Sequence, residues 1–299
     1  MLSVIVAHGG QAAAPHDVWR AWNGDPVLLT GLLLATLAYA RGRPPGPLRP
    51  RDAWRARAYA AAVVALAVAL LSPLDAMAAA LASAHMVQHV LLILVAAPLL
   101  ALSAPGSRLL RGSPLWLRRM LGRAGRRLRS RAAVLAPLQH PGLAWGLHVG
   151  VIWLWHAAVL YDATLDQPLL HAVEHTLFLL TGFAFWRLVV GPRTPAKVSP
   201  GLGIVLLFAL ALQSVFLSLL LTFARTPWYR GYATTTLAWS LEPLADQQLA
   251  GVIMWVPAGL LYLLPALALL VGWLRAVEAE ESRAATPAAE HVIGGPGAD

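Results

Sequence analysis

Seven runs of mostly apolar residues, each close to the roughly 20 needed to cross the hydrocarbon of a bilayer, decide what this chain can fold into. They lie at 24–40, 56–74, 82–104, 142–160, 169–190, 200–223 and 249–274. Inside a bilayer the backbone must satisfy its own hydrogen bonds, so runs of this length form helices. None alternates with period two, which excludes an outer-membrane barrel. The expected fold is all-α, a polytopic membrane protein built as a seven-transmembrane-helix bundle. Its layout would be an extracytoplasmic N-terminal segment at 1–23, a transmembrane domain at 24–275 with an arginine-rich inner loop at 105–141, and a disordered cytoplasmic tail at 276–299. Composition agrees: 58% of residues are hydrophobic and 12% charged, against about 25% charged in soluble domains. Met1–Ala7 is apolar but lacks a basic flank, so no cleaved signal peptide is expected.

Taken alone, the formal charge of +9 points to nucleic acid, but that reading needs basic residues gathered on one face of a soluble domain. Here they lie between the apolar runs, and no nucleic-acid partner is expected. Of the 23 basic residues, 22 are arginine and one is Lys197. With the N-terminus outside and the C-terminus cytoplasmic, only Arg20, Arg225 and Arg230 fall outside and the other 20 lie inside, as the positive-inside rule requires. The nine arginines from Arg108 to Arg131 admit two readings: binding to anionic lipid or a partner, or a solvated amphipathic segment that enforces topology. Trp153, Trp155, Trp186, Trp228, Trp239, Trp255 and Trp273 fall near span ends and read as an aromatic belt. Pro98, Pro257 and Pro265 should kink their helices.

Ten histidines in a chain so poor in polar residues need an explanation. His85 and His89 open the third span, His156 closes the fourth, and His171 and His175 open the fifth. All five would reach the outer leaflet. Each HxxxH pair puts two rings on one helical face, with His89 and His175 about 6 Å deeper than His85 and His171. Two rings one turn apart can chelate a small ion, and Glu174 could fix a tautomer by accepting a ring N–H. Imidazole and carboxylate without thiolate, since the chain has no cysteine, suit Cu(II), zinc or iron(II). Met86 and Met254 could add thioether for Cu(I), with Gln247 on the same face as Met254. Against this, histidines at helix ends can serve as interhelical hydrogen-bond glue. His148, deeper in the fourth span, reads as structural or as a relay. The outer segment from Arg225 to Asp246, with Trp228, Tyr229, Tyr232 and Glu242, is the expected cap or docking surface.

The run His85-Met86-Val87-Gln88-His89 followed by Pro98 to Leu102 and Pro105 resembles the CtaG family of cytochrome c oxidase assembly factors. So do Trp153 to His156 with Tyr161-Asp162, and His171 to His175 with Phe178, Gly182, Phe185 and Trp186. The last match is Asp246 to Gly251 with Met254-Trp255 and Pro257. The resemblance implies a multipass protein of the bacterial plasma membrane that assembles caa3-type oxidase, with an oxidase subunit as partner and copper as the metal held or delivered. The metal ligands would be His85, His89, His156, His171 and His175, with Glu174, Met86, Met254, Asp246 and Gln247 as auxiliary groups. No nucleophile or carboxylate pair points to an enzyme. Two other readings stay open. One is a copper or proton-coupled metal transporter using Glu174, His148 and Gln213. The other is a membrane haem protein ligated by histidines from different helices.

Overall fold

A computed structural model of the chain describes residues 14–47, 49–130, 140–192 and 198–285. Expectations for the first 13 residues, for 131–139 of the arginine-rich loop and for the tail beyond 285 lie outside the described residues. Among the described residues every regular element is helical: α1 Pro26–Arg41, α2 Pro50–Leu70, α3 Pro73–Ala78, α4 Ala82–Ser103, α5 Gly106–Gly112, α6 Leu115–Ser130, α7 Pro141–His156, α8 Ala158–Asp166, α9 Pro168–Val189, α10 Pro200–Thr222 and α11 Pro243–Ala285. Seven of these helices begin on a proline. Proline's fixed φ suits the first helical position, where its missing N–H has no intrahelical acceptor to lose. Caps reinforce three of the starts: Asp25 accepts from the amides of Val27 and Leu28, Ser72 from Leu74, and Ser199 from Leu202.

Among the described residues, five helices are long and apolar enough to cross a membrane: α2, α4, α9, α10 and α11. The bent pair α7 and α8 makes six if counted as one span. At 16 residues, or about 24 Å by helical rise, α1 falls short of the roughly 30 Å hydrocarbon core. Length and apolarity therefore give five or six candidates rather than the seven expected. The last helix also departs from expectation at both ends, starting at Pro243 and running through Pro257 and Pro265 to Ala285. Residues 276–285, placed in the tail by the sequence, thus continue this helix. Close approach of α10 and α11 depends on Gly251, where a Cβ would strike the Thr222 side chain and backbone.

Two breaks shape the bundle. The single run expected at 142–160 ends at His156, and the chain turns by 71° through extended Ala157 into α8. No proline or glycine marks this break. Buried side chains bond to carbonyls at this end: the His156 ring donates to the Ile152 carbonyl at 2.7 Å and Tyr229 Oη donates to the His156 carbonyl at 3.2 Å. In α4, residues Leu91–Ala96 are wound as a π-helix, and the Ala97 amide donates to the Leu92 carbonyl. The next donor in that ladder would be Pro98, which has none. The orphaned Ile93 carbonyl instead accepts from Trp186 Nε1 at 2.9 Å. Trp186 and Trp155 are therefore buried core residues and not members of a lipid-facing belt. Trp255 and Trp273 are exposed on α11, as a belt requires.

Candidate metal centre

The two HxxxH segments face one another across α4 and α9. His85 and His89 stack edge to face at 4.3 Å between ring centroids, and His171 and His175 lie at 4.1 Å. Between helices, His85 stands 5.1 Å from His171 and 5.8 Å from His175, while His89 is 5.5 Å from His175 and 5.7 Å from His156. Glu174 is fully buried among them, its Oε1 at 3.5 Å from His89 Nε2 and its Oε2 at 3.8 Å from His85 Nε2. One ligand atom each from His85, His171, Glu174 and His175 lies within 4.8 Å of the others. Bonds of about 2.0–2.2 Å to an ion would require this set to close by about an ångström.

Tautomers follow from the outward hydrogen bonds. Tyr232 Oη donates its only proton to the Ala78 carbonyl at 2.8 Å. It must therefore accept from His85 Nδ1, 3.0 Å away, so the lone pair of His85 is on Nε2. Burial raises the Tyr232 hydroxyl well above the usual tyrosine range, and it stays protonated. His156 Nδ1 donates to the Ile152 carbonyl, which can only accept, and again Nε2 keeps the lone pair. Inside the cluster, Nε2 of His85, His156, His171 and His175, both nitrogens of His89 and both oxygens of Glu174 have no hydrogen-bond partner among the described residues. Buried polar atoms left unpaired are costly and uncommon. Here the pinned acceptor of His85 faces the Glu174 carboxylate, and a set of this kind could hold a cation.

The auxiliary residues take different places. Asp246 is not among the converging ligands. Its carboxylate accepts from the amides of Ala82 and Ser83 and from the Ser83 hydroxyl. Those are free donors at the N-terminus of α4, so Asp246 caps from α11 the helix that carries His85 and His89. Gln247 Oε1 accepts from the Trp228 amide at 2.6 Å and secures the loop after α10. Met86 and Met254 line, with His89 and His156, a cavity of about 30 Å³, room for about one water-sized occupant. His148 is pinned by Thr181 at 2.9 Å, and Gln213 accepts from Trp153 Nε1 and donates to Ser214.

The segment from Arg225 to Leu241 forms a tied lid over this end of the bundle. Asp162 on α8 accepts the amides of Arg230 and Gly231, and Thr235 donates to the Ala80 carbonyl. Tyr229 stacks on Tyr161 at 3.9 Å, and Tyr161 stands 5.0 Å from His85. Sequence reasoning marked this loop as a cap but missed the individual roles of Tyr161, Asp162 and Tyr232; their signal was the polar and aromatic content of two segments far apart in the chain. A cleft of about 500 Å³ opens beside the cluster, lined by His171 and His175 and also by Asn23, Asp25 and Asp75.

The sequence profile of the cytochrome c oxidase caa3 assembly factors (Caa3_CtaG) matches residues 33–276. Among curated proteins, the chain is 26% identical over 275 residues to an uncharacterized protein of Mycobacterium bovis and equally to one of Mycobacterium tuberculosis, covering 86% of this chain and 40% of each relative. A Mycobacterium leprae protein is 27% identical over 287 residues, 89% of this chain and 42% of that protein. The chain thus spans about two fifths of the length of these relatives. No solved structure matches it. With the histidine pairs, the Pro98 and Trp186 contact and the Asp246 cap all inside the matched region, the chain belongs to the caa3-type cytochrome c oxidase assembly factor family.

Proposed function

We propose that this protein assists assembly of a caa3-type cytochrome c oxidase in the bacterial plasma membrane by holding copper as cargo and passing it to an oxidase subunit. The observation that carries the reading is the inward convergence of unpartnered imidazole lone pairs and the Glu174 carboxylate, with His85 and His156 pinned from outside. His85, His171, Glu174 and His175 supply a nitrogen and oxygen set suited to Cu(II). His89 and His156, beside Met86 and Met254, supply a softer set suited to Cu(I). The 500 Å³ cleft offers an approach to His171 and His175. Arginines crowd the opposite end of the bundle, which favours placing the histidine end outside.

Copper content of the purified protein, set against a His89→Ala/His175→Ala variant, tests this directly. The expected result is bound copper in the parent and its loss in the variant. Copper that is absent, or present equally in both, would sink the metal assignment. Oxidase activity in a deletion strain tests the assembly role separately. Uptake of copper into proteoliposomes would replace the chaperone by a transporter.

A further inference from the structure

We propose that the end of the bundle opposite the histidines carries a binding site for a phosphate group, that of an anionic phospholipid. The site is a cavity of about 380 Å³ between the start of α2 and α5, lined by Arg49, Arg55, Arg108 and Arg111 with Asp52 the one acidic residue in its wall. A second cavity of about 320 Å³, lined by Arg41, Arg43, Arg111 and Arg118, shares Arg111, Pro44 and Pro45 with it. Among the described residues none of these arginines has an ion pair within 4.0 Å. So many like charges around one trough repel unless an anion lies between them.

The trough is built rather than incidental. Where α1 and α5 cross, a Cβ on Gly112 would strike the Ala38 carbonyl and one on Gly42 the Arg108 carbonyl. Only glycine allows this contact, and Arg111 Nε donates to the Gly42 carbonyl at 3.2 Å across it. Arg108 lies with its guanidinium 4.1 Å over the Tyr39 ring, which stacks on Tyr59 at 3.7 Å. So held, its Nε and Nη1 are buried with no hydrogen-bond acceptor among the described residues. A fixed guanidinium fork short of acceptors matches the geometry of phosphate oxygens.

Depth and neighbours favour a lipid as the source of that phosphate. Helix α6 leaves the trough with Leu117, Met120, Leu121 and Ala124 at helical spacing on one stripe and Arg118, Arg119 and Arg123 on the other. Its Leu115, Trp116, Met120 and Leu121 are exposed, the pattern of a helix lying in the headgroup region. Exposed Leu37 on α1 lies one turn before the lining residue Arg41, and exposed Trp54 on α2 is next to Arg55, an apolar setting in which acyl chains would run. Basic pockets between membrane helices bind headgroups of this kind. The assignment is independent of the metal centre.

The test is native mass spectrometry of the full chain in detergent with dioleoylphosphatidylglycerol, dioleoylphosphatidylcholine as control and inorganic phosphate as competitor. The expected result is retention of the anionic lipid over the zwitterionic one, weakened about fivefold per arginine removed and so about 30-fold in Arg55→Gln/Arg111→Gln. Arg49→Gln, a change on an exposed side chain, is expected to cost about fivefold with an unchanged unfolding temperature, which separates lost binding from lost folding. Displacement by millimolar phosphate would assign the same site to the free anion, and its failure to displace assigns it to the lipid. Equal retention of both lipids, or retention unchanged in both variants, overturns the proposal.

Discussion

Replacing Tyr232 by Phe tests the tautomer argument at the centre of the proposed site. The tyrosine hydroxyl connects two groups that cannot bond each other, accepting from His85 Nδ1 at 3.0 Å and donating to the Ala78 carbonyl at 2.8 Å. Phenylalanine keeps the ring and strands both. Leaving buried polar groups unpaired costs about 1–3 kcal/mol of stability. The His85 proton is then free to move to Nε2, where it faces Glu174 Oε2 at 3.8 Å and must be displaced before a metal can bind. Losing an outer partner of this kind weakens metal affinity about 10- to 100-fold, or about 1.4–2.7 kcal/mol. The assay is copper titration against a competing chelator at fixed pH, with thermal unfolding followed in parallel. Tyr229→Phe is the control, because that hydroxyl donates to the His156 backbone carbonyl and not to a ring. Its affinity should match the parent. A folded Tyr232→Phe protein that binds copper within twofold of the parent would refute the reasoning.

Two further substitutions probe how the helices present the cluster. Asp246→Ala removes the cap that α11 supplies to α4, and the expected loss is about 1–2 kcal/mol, seen as a lower unfolding temperature in detergent together with reduced copper retention; an unchanged unfolding temperature would mean that the α4 start is held some other way. Trp186→Phe leaves the Ile93 carbonyl without a donor beside Pro98, at a cost of about 1–3 kcal/mol. Hydrogen exchange should rise around the π-segment, and equal protection in parent and variant would contradict the assigned role.

What the sequence made legible is what is periodic or local. Apolar runs of membrane length located most of the helices, and HxxxH spacing put His85 with His89 and His171 with His175 on shared faces, because helical geometry alone carries both inferences. Glu174 beside His175 was legible for the same reason. The break at Ala157 was not, since neither neighbour is a proline or a glycine; the chain turns there because α8 is held by Asp162 and Tyr161 against a loop about 70 residues further on. Asp246 entered as an auxiliary group through the family resemblance of the run from Asp246 to Gly251, yet its oxygens are consumed by amides 164 and 163 residues away. Trp186 read as a belt residue from its place near a span end, a position that does not say whether the ring points to lipid or to the neighbouring helix. Pro98 did carry a usable signal. A proline inside an apolar run leaves a carbonyl needing a donor, and the donors within reach in the bundle include tryptophan rings. Pairing Pro98 with Trp186 still required knowing that α4 and α9 are neighbours, and their contact is the same one that brings the two histidine pairs together.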